Sequence, residues 1–138
     1  MAFVDTPFVT IDWDEPSRSI VAEWKGPIGR GAAYRAALDR SLELVKQRGA
    51  RRWLAVMLES TGVLPQEDST WLVHDWFPRL LAAGGQRFAV VIPPQALAAM
   101  QLNRLKREID SEKENEAAFQ NRYFDNLGEA RAWLAKQA

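Results

Sequence analysis

The sequence predicts an α/β fold: one mixed sheet of about five strands with four helices, in the order β-β-α-β-α-β-α-β-α. Three observations predict it. First, Trp53 to Leu58 is an unbroken apolar run, with Arg51-Arg52 before it and Glu59-Ser60-Thr61-Gly62 after it. A run this short, apolar without alternation, is a strand covered on both faces. Second, Arg87-Phe88-Ala89-Val90-Val91-Ile92 repeats the pattern and stops at Pro93-Pro94. Third, the segments around these runs carry apolar residues at helical spacing, so strands and helices alternate as in parallel crossover units.

The elements follow in order. Phe8-Val9-Thr10-Ile11-Asp12-Trp13 alternates apolar and polar, as a half-buried strand does, and Ser19 to Trp24 is its partner. Asp14-Glu15-Pro16-Ser17-Arg18 is turn chemistry, so the chain opens with a β-hairpin. Gly26-Pro27-Ile28-Gly29-Arg30-Gly31 breaks the second strand and leads into a helix ending near Gly49, with Tyr34, Leu38, Ser41, Leu42 and Val45 on one side. The central strand 53–58 comes next. A helix then runs from near Pro65 to Ala83 and closes at Gly84-Gly85, with Leu72, Val73, Trp76, Phe77, Leu80 and Leu81 forming a wide apolar stripe. Pro78 lies inside it and deprives the His74 carbonyl of its helical partner, which predicts a kink. After the strand at 87–92, a third helix is expected over 95–110, then a charged connector from Ser111 to Glu116 and a weaker strand from Phe119 to Phe124. Asn126 caps a short final helix, with Glu129 in capping-box spacing.

The totals narrow the functional classes. The chain of 138 residues reads as one domain, residues 1–138. Eighteen basic residues balance eighteen acidic ones, which leaves no summed field to draw nucleic acid. Cysteine is absent, which removes thiol chemistry and thiolate metal sites. No apolar run approaches the roughly 18 residues of a membrane span, and the first residues lack a signal-peptide pattern. The expectation is a cytoplasmic protein with no nucleic-acid partner, no integral membrane association and no cofactor.

Candidate site residues come from position and chemistry. In α/β sheets, ligands sit beyond the carboxyl ends of the parallel strands. Glu59-Ser60-Thr61 ends the central strand there and offers a carboxylate and two hydroxyls to a small ligand; the same hydroxyls could instead satisfy the helix-entry turn. Gly26-x-x-Gly29-x-Gly31 matches neither the dinucleotide fingerprint nor a P-loop, so flexible entry into the helix is preferred to phosphate binding. His74 is the only histidine. With no cysteine and scattered carboxylates, neither a catalytic triad nor a metal site assembles around it. Trp71, Trp76 and Phe77 cluster on one helix near the expected kink, and Trp71, Val73, Phe77 and Leu81 spread over more than one of its faces. Such a helix buries both sides against core, a partner chain or an apolar ligand. Arg87, Arg104, Lys106 and Arg107 form a small basic patch that reads as a solvated face.

One family resemblance carries across the chain. Glu23-Trp24-Lys25-Gly26, Arg52-Trp53-Leu54, Trp76-Phe77-Pro78-Arg79, the run from Arg87 to Pro93 and the tail from Tyr123 to Ala130 together resemble the SpoIIAA-like branch of the STAS domains. The resemblance implies a small regulatory or ligand-binding module without catalytic chemistry. STAS domains in the narrow sense are phosphorylated on a hydroxyl at the start of the helix after the third strand, which implies Ser69 or Thr70 here. In this chain the first turn is acidic, Glu67 and Asp68, and the hydroxyls come later. Related folds of the CRAL-TRIO type carry lipids. The resulting expectation is a non-enzymatic regulatory or interaction module, with a protein partner or homodimer and a small-ligand site drawn from Glu59, Ser60, Thr61, Trp71, His74 and Trp76. Its alternative is a carrier of an apolar small molecule between the second and third helices.

Overall fold

The alternating segments at the N-terminus do fold back on each other: β2 (Val9–Asp14) pairs antiparallel with β3 (Ser19–Pro27), from Asp14↔Ser19 to Val9↔Trp24. The turn between them closes through Arg18, at φ 52°, and through the Asp14 carboxylate, which accepts the Ser17 amide at 3.1 Å. The structure, a computed structural model, describes residues 2–27, 29, 31–61, 64–96 and 120–136.

From β3 onward the strands run parallel. β4 (Arg52–Thr61) pairs with β3, β5 (Arg87–Val91) with β4, and β6 (Gln120–Phe124) with β5. Strand order in the sheet follows the chain. The two unbroken apolar runs therefore lie side by side, parallel and away from either edge, as burial on both faces requires. The expected strand count is corrected to six by β1 (Val4–Asp5), which pairs antiparallel with β2. Two residues carry no readable period; this strand is made by Thr6, whose Oγ1 accepts the Val9 amide at 2.9 Å and folds the segment onto β2.

Helices cover both faces. α1 (Gly31–Arg48) buries Tyr34, Leu38, Ser41, Leu42 and Val45, the stripe its spacing predicts, together with Ala37 and Leu44. It ends at Gly49, at φ 60°, with the Ala50 amide reaching back to the Val45 carbonyl. Beside it on the same face, residues 66–82 form α2 (Gln66–Trp71), a π-helical segment (Leu72–Trp76) and α3 (Phe77–Ala82). The wide turn falls where the sequence predicts a kink. Pro78 has no amide to donate, and the Phe77 amide bonds the Leu72 carbonyl five residues back. α4 (Leu127–Lys136) covers the opposite face, where Ala130 and Leu134 pack on Leu54, Ala89, Val91 and Phe124. Asn126 Oδ1 accepts the Glu129 amide at 2.9 Å, the N-cap the sequence predicts.

The two faces differ in weight. The larger cluster joins Ile11, Ile20, Ala22, Trp53, Ala55 and Phe88 of the sheet to α1 and to Trp76 and Leu80. Each fully buried Leu or Ile stabilises by about 1.5–3 kcal/mol relative to exposure. No described helix is long and apolar enough to cross a membrane. Helical geometry begins at residues 94–96; the rest of the helix expected over 95–110, with Arg104, Lys106 and Arg107, and the 111–116 connector lie outside the described residues.

Candidate functional site

The register of the parallel strands sets side chains in rows across the sheet. One row on the α1 side runs Ile20, Trp53, Phe88, Asn121; the next runs Ala22, Ala55, Val90, Tyr123. In the second row the small Ala55 leaves depth beside the large residues of the first row. Above them, aromatic rings hold the second helix: Trp53 stacks on Phe88 at 6.0 Å and meets Trp76 edge-on at 5.1 Å, and Phe77 meets Phe88 edge-on at 5.3 Å.

The result is a cavity of about 870 Å³ between helix and sheet. Trp53, Ala55, Phe88 and Val90 form its floor, Tyr34 and Leu38 of α1 one wall, and Leu72, Val73, Trp76 and Phe77 the other. Ser60, Leu64 and Ile92, at the carboxyl ends of β4 and β5, line it together with Ser69, Asn121 and Tyr123. The volume falls inside the roughly 300–1,000 Å³ range of small-molecule sites. No described lining residue carries a formal charge.

A bulge decides which polar residue of β4 enters. Glu23 pairs with Val56, but Lys25 pairs with Glu59, so β4 spends one residue more than β3 over this step. Trp53, Ala55 and Met57 face the cavity at alternate positions; after the bulge the parity changes and Ser60 lines it. Unbroken alternation would have presented Glu59.

Of the residues proposed from sequence, the cavity brings together Ser60, Ser69 and Trp76. Glu59 and Thr61 are exposed and outside its lining. His74 is exposed and also outside it, and Thr70 is exposed on the outer side of α2, where its hydroxyl accepts from Gln66 at 3.4 Å. Trp71 is half-buried with Arg35 at 5.3 Å and Arg79 at 5.8 Å from its ring centroid, so it serves the contact between α1 and the second helix. The helix N-terminus after the glycine-rich turn has an anion of its own. Asp68, buried, accepts the Gly31 amide at 2.9 Å and Arg35 Nε at 3.1 Å. Gly29 is explained by packing, because a Cβ there would lie 2.7 Å from the Phe8 ring.

The chain matches no protein-family model, no curated protein and no solved structure.

Sequence reasoning did not single out Tyr34, Trp53, Phe88 or Tyr123 as site residues. Trp53 and Phe88 read as strand core, and Tyr34 as one more residue of a helical stripe. Their convergence follows from strand register, which no single segment carries. The one signal available was Tyr34 itself, a polar-tipped ring on a stripe otherwise filled by Leu, Val and Ser. Burial, and then the nearby Asp68 carboxylate, push its phenol well above the usual tyrosine range, so it is neutral and able to donate.

Proposed function

We propose that this protein is a non-enzymatic module that binds an apolar small molecule in the cavity between the second helix and the parallel strands. The observation that carries the reading is the cavity's size together with its aromatic lining and the lack of charge among its described residues. Burial of apolar ligand surface drives such binding, and a few polar groups set orientation. The reading joins the ligand-sensing module to the apolar carrier, since the lining includes Ser60 and Ile92 at the carboxyl ends of β4 and β5 but has an apolar body. Kinship with the STAS-like and CRAL-TRIO type folds is part of the proposal, supported by the hairpin followed by parallel strands and alternating helices.

Native mass spectrometry of protein made in cells tests it directly. A co-purified uncharged molecule is expected, and fluorescence of N-phenyl-1-naphthylamine should rise on titration with the protein. Ala55→Leu puts bulk on the cavity floor and should weaken that response several-fold while the fold is retained. An unaltered signal in Ala55→Leu, or none with the wild type, overturns the proposal.

A further inference from the structure

Tyr34 has a hydroxyl that no other described residue uses. The residue is only 3% exposed, yet among the described residues its Oη has no hydrogen-bond partner. Among the described residues no fully enclosed side-chain nitrogen or oxygen lacks a partner. The Tyr34 oxygen is therefore not enclosed by protein atoms; it borders open space, and Tyr34 lines the cavity. A buried phenol without a partner is unusual, because the group loses the hydration that a protein bond normally replaces.

Two further features bear on what this hydroxyl meets. Asp68 lies close enough to act on the phenol, and its own bonds are taken by Gly31 and Arg35. An anion brought beside Tyr34 would be stripped of water by the aromatic walls, and Asp68, already paired with Arg35, offers it no counter-charge. At the end of β4 the bulge presents Ser60 where regular pairing would have presented Glu59, so a bound cation finds no carboxylate among the described lining residues. An ion of either sign would give up its water without a counter-charge among the described lining residues, whereas a neutral oxygen loses far less.

We infer that the ligand is an uncharged, largely apolar molecule bearing a neutral hydrogen-bond acceptor, a ketone, ester or amide carbonyl, which the Tyr34 hydroxyl donates to. Tyr34 is on this view the residue that sets ligand class. The inference rests on the binding function proposed above and adds to it the chemistry of the ligand's polar end.

Three probes of one shape separate the two. Isothermal titration is run with 2-acetylnaphthalene, 2-ethylnaphthalene and 2-naphthoate, on the wild type and on Tyr34→Phe. The variant removes only an oxygen that is without a bond among the described residues, and circular dichroism checks that it folds. The wild type should bind the ketone about threefold to tenfold more tightly than the hydrocarbon, the worth of one net hydrogen bond. Tyr34→Phe should abolish that difference, and naphthoate should bind neither protein. If the hydrocarbon binds the wild type as well as the ketone, or if Tyr34→Phe keeps the preference, the role of Tyr34 is overturned while the cavity reading stands. Naphthoate binding on a par with the ketone overturns the requirement for neutrality. Failure of both uncharged naphthalenes to bind the wild type overturns the cavity reading and this inference with it.

Discussion

Trp76 Nε1 donates to the backbone oxygen of Leu38 at 2.9 Å, tying the π-helical segment to α1 across the wall of the cavity. Trp76 is fully buried, and the same Leu38 oxygen also accepts from Ser41 Oγ. The bond does two things at once. It satisfies the only polar atom of a large core ring, and it fixes the distance between the two helices that bound the site.

Trp76→Phe tests that tie. The Leu38 oxygen keeps its Ser41 donor, so the loss is one bond and part of a ring's volume, and the expected cost is about 1–3 kcal/mol. A lower urea midpoint with an unchanged m-value is the expected result. An unmoved midpoint would mean that the indole bond contributes nothing.

Asp68 holds the other end of the same helix pair. Asp68→Ala leaves the Gly31 amide uncapped and Arg35 Nε without its carboxylate. Arg35 is partly exposed, so solvent screens the ion pair and most of the effect belongs to the cap; about 1–2 kcal/mol is expected. Asp68→Asn, which still accepts the amide, should recover part of it. Equal midpoints for the Ala and Asn variants would contradict a capping role.

How far these relationships were legible in the sequence depends on their range. The strands at 53–58 and 88–92 were readable because burial on both faces leaves a local mark, and the stripe of α1 because helical period does the same. The sixth strand was not, since Val4 and Asp5 pair only because Thr6 folds them onto β2. The site was half legible. Trp76 follows from the apolar stripe, but sequence cannot separate it from Trp71, whose ring is taken by Arg35 and Arg79. Nor could it choose Ser60 over Glu59, because that choice is made by a bulge visible only in the pairing of β3 with β4.

The end of the second helix supplies a backbone prediction. Gly84 sits at φ 117°, its amide bonded to the Leu81 carbonyl and the Gly85 amide bonded to that of Leu80. This is the paired pattern that closes a helix through a left-handed residue. A Cβ at Gly84 would meet only the Ala50 oxygen, at 3.7 Å. The cost of Gly84→Ala is therefore conformational and not steric, about 1–3 kcal/mol. Thermal melts should show the drop; an unshifted melting temperature would mean the turn relaxes to another geometry.

Asp14 gives the structure an acid-sensitive joint between the hairpin and α4. Its carboxylate accepts from the Ser17 hydroxyl and amide and is paired with Arg131 at 3.2 Å. The Ser17 hydroxyl bond, first, and then the Ser17 amide and Arg131 outweigh partial burial and hold its carboxyl below the usual carboxylate range. Because the folded value lies below the unfolded one, the stabilisation is fully present above the ordinary carboxylate pKa. It is lost as pH falls through the folded value. Asp14→Asn removes the titration while keeping an acceptor for Ser17. Urea midpoints at about pH 7 and about pH 3 should therefore lie further apart in the wild type than in the variant. Added salt should shrink the wild type's advantage at neutral pH by screening Arg131. If both proteins lose the same stability on acidification, Asp14 is not the group responsible, and the acid sensitivity belongs to other carboxylates.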